Sequence, residues 1–180
     1  MADSFVHLHV HTEYSMLDGA ARIGDLFSRA AEMGMPALAT TDHGYVFGAY
    51  EFWKKAQGTG VKPIIGCDVW LTHEAERDQP FRALLLAQSR AGYLRLSAWL
   101  TRAYRGNQHR GHAELKRDWF AEGTDGLIAL SGVVAQDPAG ILQAPRHQAR
   151  ARERDHRVAA PIGEPRVARH QARAPLGSNE

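Results

Sequence analysis

The chain has 180 residues, of which 44% are hydrophobic and 23% are charged, and this balance is typical of a globular domain. Its formal net charge of only +2 gives no overall basic field, so the composition does not indicate a nucleic-acid-binding protein. The single cysteine excludes an internal disulfide, and the lack of a long apolar run or a signal-peptide pattern predicts a cytoplasmic protein with no membrane partner.

Hydrophobic periodicity predicts that strands and helices alternate over the first 130 residues. Short apolar runs predict strands over 5–10, 37–40, 63–70, 82–87 and 126–130, and helical spacing predicts helices over 23–33, 47–57 and 93–104. Strands separated by helices of this length are typical of βαβ units. The sequence therefore predicts an α/β fold with a largely parallel sheet.

The first predicted strand carries three histidines, His7, His9 and His11, at intervals of two residues. Because side chains alternate between the two faces of a strand, all three are expected to point the same way. Neutral imidazole is a preferred ligand of Zn, Mn and Fe, so the pattern favours a divalent-metal site. The alternative is a histidine-rich, solvent-exposed strand, because short motifs of this kind often occur without a metal.

Further metal-ligating residue types follow the first three predicted strands. Asp18 lies in a turn after the first strand, Asp42 and His43 follow the second, and Asp68 lies late in the third. Since ligands of parallel α/β folds bind at the carboxyl ends of the strands, these residues are expected on one rim. Each has a simpler explanation by itself, such as a turn or a solvent contact. Their convergence predicts a metal site built from several elements.

Several motifs, taken in order, resemble the polymerase-and-histidinol-phosphatase (PHP) domain. They are HVHTEYS at residues 9–15, LDG at 17–19, ATTDHG at 39–44 and KPIIG at 62–66. GMPALA at 34–39 and FGAYEF at 47–52 are similar, more narrowly, to the N-terminal part of the bacterial DNA polymerase III alpha family. The resemblance runs from about residue 4 to residue 132. It implies a distorted, TIM-like (β/α)7 barrel whose members bind up to three divalent metals.

The resemblance also implies which residues of this chain bind metal, either Zn, Mn or Mg. The matching ligand positions are His9 and His11 for the first motif, Asp18 and His43 for a further metal, and Asp68, where the family usually has Glu. Asp42 is expected to support these ligands without touching the metal. No catalytic residue is assigned.

Three departures from the family pattern imply an incomplete site. Arg82 stands where metal-binding members carry His, and a guanidinium group cannot coordinate a metal. Val133 replaces a Cys or polar residue, and the closing Asp-x-His motif has no counterpart in residues 133–180. The likeness therefore ends before the barrel would close, so an incomplete barrel is expected.

Composition changes near residue 135. A PHP domain is predicted over 4–135, and an Arg-, Pro- and Ala-rich tail over 136–180. The tail has eight Arg, five Pro and no aromatic residue, so it is expected to be disordered. One interpretation is a basic arm for nucleic acid. A tail without a role, from a gene read out of frame, is favoured because no aromatic side chains are present to stack on bases.

Together these features predict the N-terminal PHP module of a replicative DNA polymerase III alpha subunit. The parent would be a DNA-directed nucleotidyltransferase, whereas this chain lacks the polymerase palm and is expected to be inactive alone. Expected partners are the rest of the alpha subunit and a proofreading exonuclease subunit, with DNA contacted through the parent. A metal-dependent phosphoesterase of the same superfamily and a purely structural scaffold are the alternatives.

Overall fold

The computed structural model describes residues 5–131, which form a mixed α/β unit. Its helices are α1 (Ile23–Glu32), α2 (Ala49–Ala56) and α3 (Arg90–Gly106). Its strands are β1 (Ala37–Thr40), β2 (Lys62–Leu71), β3 (Phe81–Ala87), β4 (Gln108–His109), β5 (His112–Leu115) and β6 (Leu127–Ser131). Two short 3₁₀ helices cover Glu13–Ser15 and Arg117–Glu122. Val133, the predicted tail and the segment that lacks an Asp-x-His motif lie outside the described residues.

The helices form close to their predicted positions because each carries an apolar stripe at helical spacing. In α1, the buried residues Ile23, Phe27 and Ala30 recur on one face. Gly34, at a φ of +68°, lets the chain turn out of this helix. At the start of α3, Ser89 Oγ accepts a hydrogen bond from the Gly92 backbone N at 3.2 Å and so caps the helix.

The sheet is built around β2 and is mixed in direction. The first half of β2 pairs in parallel with β1, and its second half pairs antiparallel with β3, which pairs antiparallel with β6. The end of β2 pairs in parallel with β5, which forms an antiparallel hairpin with β4. The prediction of a largely parallel sheet is therefore wrong. The physical reason is that residues 72–80 between β2 and β3 contain no helix, so the chain returns antiparallel beside the strand it has just left.

Residues 5–11 run beside β1 without forming the predicted first strand. Two backbone hydrogen bonds join them to the chain at β1, from Ala39 N to His7 O at 3.0 Å and from Thr41 N to Val10 O at 2.9 Å. The Val10 backbone N instead donates to the side-chain Oγ1 of Thr41 at 2.8 Å. A side chain thus replaces one rung of the backbone ladder, and the segment lacks the regular pairing of a strand.

Two hydrophobic clusters flank the sheet. One packs α1 and α2 against β1, and the other packs α3 against β2, β3 and β5. Because side chains alternate along β2, Cys67, Val69 and Leu71 enter the second cluster, whereas Asp68 and Trp70 lie on the opposite face. The candidate site is on that opposite face. Within the described part of the chain, no helix has the length and apolar character needed to cross a bilayer.

Candidate metal centre

A buried carboxylate, Asp42, fixes the N-terminal segment against the end of β1. It accepts hydrogen bonds from the backbone N of Thr12 at 2.6 Å, from Thr12 Oγ1 at 2.9 Å and from Ser15 Oγ at 2.6 Å. Thr40 Oγ1 adds a fourth donor at 3.2 Å. Because Asp42 is only 2% exposed, these donors are needed to offset the cost of burying its charge. Asp42 therefore holds the loop that follows His11 and acts on the candidate ligands through the backbone.

Three of the predicted ligands, His9, His11 and Asp68, converge at one point. The Nε2 atoms of His9 and His11 lie 3.0 and 3.3 Å from the same oxygen, Asp68 Oδ2, and 3.1 Å from each other. The Asp68 side chain is 4% exposed, whereas that of His9 is 36% exposed. The group is therefore anchored on a buried carboxylate and reaches solvent through His9.

The positions of these three atoms fit a single divalent ion. Zinc bonds to nitrogen and oxygen are about 2.0–2.1 Å long, so two ligands of a tetrahedral ion lie roughly 3.3 Å apart. The separations of 3.0, 3.1 and 3.3 Å are close to that value. Two imidazoles and one carboxylate are also the donor types that zinc and manganese accept.

His43 is placed beside this group by backbone pairing. The Asp68 backbone N donates to the Asp42 carbonyl at 3.1 Å, and His43 forms an isolated parallel bridge with Asp68. The Nε2 atom of His43 lies 3.1 Å from Asp18 Oδ2, and its ring centroid is 4.0 Å from that of His11. Asp18 and His43 thus form a second pair of candidate ligands next to the first group.

Arg82 on β3 points into the same site. Its Nη2 contacts Asp68 Oδ2, and its Nε donates to Asp68 Oδ1 at 3.3 Å, so one guanidinium contacts both carboxylate oxygens. Nη2 also lies 3.1 Å from His43 Nδ1. The guanidinium carbon is 4.9 Å from the centroid of the Trp70 ring, within the range of a cation–π contact. A permanent positive charge therefore lies among the candidate ligands.

Comparison with known proteins identifies the family. Residues 7–168 match the family described as PHP domain. The chain belongs to the PHP domain family. This PHP chain is 42% identical over 131 residues to the DNA polymerase III subunit alpha of Pseudomonas aeruginosa, which covers 73% of the chain and 11% of that protein. With the DNA polymerase III subunit alpha of Neisseria meningitidis serogroup B, the identity is 44% over 131 residues, or 72% of the chain and 12% of the relative.

The PHP chain thus spans only 11–12% of the length of these curated relatives. Among solved structures, an amidohydrolase from Chromobacterium violaceum, with bound sulfate and no metal, is similar at a TM-score of 0.44 and 26% identity. That match covers 56% of the PHP chain and 34% of the amidohydrolase chain. Membership of the PHP family therefore rests on the sequence matches.

The surroundings of His43 in this PHP domain lower its pKa below the ordinary value of 6.5. Burial is the largest cause, and the positive charges of His11 and Arg82 act in the same direction. The carboxylates of Asp68 and Asp18 oppose the shift. The neutral imidazole that a metal ligand requires is therefore favoured at His43.

The PHP site contains the predicted ligands but differs from the prediction in one histidine. His7 lies outside the group, and its ring packs edge-on against Phe5 with the centroids 4.7 Å apart. Because residues 5–11 are not a regular strand, alternation does not bring all three imidazoles to one point. Sequence reasoning also missed Trp70, although alternation along β2 places it on the same face as Asp68 and would have identified it.

Proposed function

We propose that this PHP domain is the N-terminal module of a bacterial DNA polymerase III alpha subunit. The observation that carries the proposal is the identity of 42–44% over 131 residues with two such subunits. The parent would be a DNA-directed DNA polymerase, and the module would be joined to the remaining polymerase domains. A proofreading exonuclease subunit is the further proposed partner, DNA would be contacted through the parent, and the assembly would act in the cytoplasm.

Within this proposal, the described residues are part of an incomplete, distorted (β/α)7 barrel. The parallel pairing of β1 and β5 with β2 supports a barrel-type arrangement, and the face that carries Asp68 would be its interior. We place the domain boundary at residue 135, with residues 136–180 as a disordered tail, although the family match extends to residue 168. Limited proteolysis distinguishes the two boundaries, because early cleavage throughout 136–168 is expected only for the shorter domain.

The metal role proposed for the module belongs to His9, His11 and Asp68, which would hold one zinc or manganese ion. A divalent ion bound there would supply Lewis-acid polarisation and would lower the pKa of a water molecule at an open coordination position. The residues of the chain do the positioning. Asp42 fixes the loop after His11, and the backbone bridge to His43 fixes Asp68.

Paired dialysis experiments test this metal site. Wild-type protein equilibrated with Zn²⁺ and analysed by mass spectrometry should retain about one tightly held equivalent, and the His9→Ala/His11→Ala variant should retain none. His7→Ala is the matched control, because it removes a nearby imidazole that lies outside the group. Stoichiometric metal in the double variant, or none in the wild type, would contradict the proposed site.

The same ligands favour a second candidate function, metal-dependent phosphoester hydrolysis. Against it stands Arg82, whose guanidinium contacts Asp68 and His43. We therefore expect the chain alone to show neither polymerase activity nor robust phosphoesterase activity. Incubation with Mn²⁺ or Zn²⁺ and p-nitrophenyl phosphate tests this. Turnover well above the buffer rate that disappears in His9→Ala would establish the phosphoesterase instead.

A chimaera tests the polymerase assignment directly. The matching segment of the P. aeruginosa alpha subunit would be replaced by residues 5–131 of this chain, and primer extension would be measured. The replacement should preserve most of the extension rate, because the two segments share family and fold. A chimaera that is folded by circular dichroism but extends no primer, beside an active parent subunit, would refute the assignment.

A further inference from the structure

We infer that the guanidinium group of Arg82 takes the place of a second metal cation in this PHP domain. The inference rests on the metal site proposed above, since it concerns the ligands beside that site. It assigns to Arg82 two effects. Arg82 holds Asp18, His43 and Asp68 together without a second metal, and it weakens binding of the first.

The first step of the argument is the charge of Asp68. Its side chain is 4% exposed, and a carboxylate buried to that degree requires a cation or several donors nearby. His9 and His11 can be neutral, whereas Arg82 is always charged. Its Nε and Nη2 contact the two carboxylate oxygens in a fork, which is the strongest form of Arg–carboxylate pairing.

The second step is the orientation of His43. Arginine can only donate hydrogen bonds, so the 3.1 Å contact between Arg82 Nη2 and His43 Nδ1 requires Nδ1 to accept. The proton of the neutral ring is then on Nε2, which lies 3.1 Å from Asp18 Oδ2 and donates to it. Arg82, His43 and Asp18 thus form a closed chain of donors and acceptors. In that chain, the Nε2 atom that a metal shared with Asp18 would need carries a proton.

The third step is competition between cations. Arg82 Nη2 is 3.4 Å from His43 Nε2, so a metal bonded to that nitrogen at about 2.1 Å would lie within roughly 5.5 Å of the guanidinium. Two cations at that distance repel each other strongly in a partly buried site. Arg82 is also held by the Trp70 ring at 4.9 Å, so moving it aside would break contacts on three sides. The metal group shares Asp68 Oδ2 with Arg82, so its affinity is lowered as well.

Substitutions at Arg82 test the inference through metal content and stability, without any activity assay. Arg82→His restores a ligand and should raise the zinc content from one equivalent to two. Arg82→Gln removes the charge and should tighten the first zinc by about tenfold or more, measured by competition with a chelator. In excess chelator, Arg82→Gln should melt at a lower temperature than the wild type, and zinc should restore more of its stability. Arg102→Gln, which removes an arginine paired with Glu122 at 2.7 Å, is the control for loss of one positive charge.

Each outcome separates this inference from the proposed site. If the wild type binds no zinc but Arg82→His does, the proposed first site fails and the role of Arg82 is supported. If Arg82→His and Arg82→Gln bind zinc with the stoichiometry and affinity of the wild type, or if none of the three proteins binds it, the inference is wrong. Should Arg82→Gln fail to fold, Arg82→Lys keeps a cation at the position and should bind zinc as the wild type does. A lysine variant that gains a second equivalent would also overturn the inference.

Discussion

Replacement of Asp42 by alanine is the sharpest test of how the site is positioned. Asp42 accepts four hydrogen bonds, and three of them come from Thr12 and Ser15 in the loop that follows His11. Without the carboxylate, that loop loses its attachment to the end of β1. We therefore expect Asp42→Ala to lower both the stability of the chain and its affinity for zinc.

The size of the effect follows from the donors that are left behind. The hydroxyl groups can rotate toward other acceptors, but the backbone N of Thr12 cannot, and a buried unsatisfied donor costs about 1–3 kcal/mol. Loss of hydrogen bonds to a charged acceptor adds roughly 1.5–3 kcal/mol, partly offset because the charge no longer has to be buried. We expect a decrease of about 3–5 kcal/mol in the free energy of unfolding. Asp42→Asn, which keeps one acceptor oxygen, should lose about half as much.

Urea titration in the presence of a chelator measures this change. With a slope of about 2 kcal/mol per molar urea, the midpoint for Asp42→Ala should fall by roughly 2 M. Asp25→Ala on the exposed face of α1 is the control and should cost at most about 1 kcal/mol through the helix dipole. In the Asp42→Ala background, Ser15→Ala should have little further effect. A midpoint for Asp42→Ala no lower than that of the control would refute the reasoning.

Three further predictions concern other parts of the chain. Burial raises the pKa of the Cys67 thiol, so this single cysteine should react with a chromogenic disulfide roughly a hundredfold or more slowly in the native chain than in urea; equal rates would show that it is accessible. Gly92→Ala would place its Cβ 1.8 Å from the Gly126 carbonyl oxygen and should lower the free energy of unfolding by about 2–3 kcal/mol. Gly24→Ala, whose Cβ meets no atom within 4 Å, should raise it by about 0.5–1 kcal/mol in the same urea titration. Since the pKa of His43 is lowered on folding, its stabilising contribution is complete above pH 6.5 and declines as the pH falls through the lowered value; without metal, wild type should lose more stability than His43→Asn between about pH 7.5 and about pH 5.

The elements that could be predicted are those whose pattern is local. The stripe of Ile23, Phe27 and Ala30 is a property of neighbouring turns, so α1 was predicted within one residue of its end. The strand over 37–40 was predicted with its observed bounds. The hairpin of β4 and β5 was not predicted because its turn is unusual. Arg110 and Gly111 both adopt positive φ, at 47° and 83°, and arginine is not a residue that normally indicates such a turn.

The candidate site was accessible from sequence only as a set of residue types. The motif around His9 and His11 indicated imidazole ligands, but the place where they meet Asp68, 59 and 57 positions along the chain, depends on strand register. The substitution at Arg82 was visible in the sequence, whereas its contacts with Asp68 and His43 were not. Those contacts depend on the antiparallel pairing of β2 with β3, and residue periodicity does not encode strand direction.

The backbone bridge between His43 and Asp68 has a consequence for how such a domain can diverge. The Asp68 N–H and carbonyl both bond to main-chain atoms, those of Asp42 and Gly44, so the spacing of the two ligand positions does not depend on which side chains occupy them. Substitutions at these positions can therefore change the chemistry of the site while the main chain keeps its course. A domain built in this way can exchange a bound ion for an internal charge, or the reverse, through single codon changes. The scaffold and the reaction are then free to evolve at different rates.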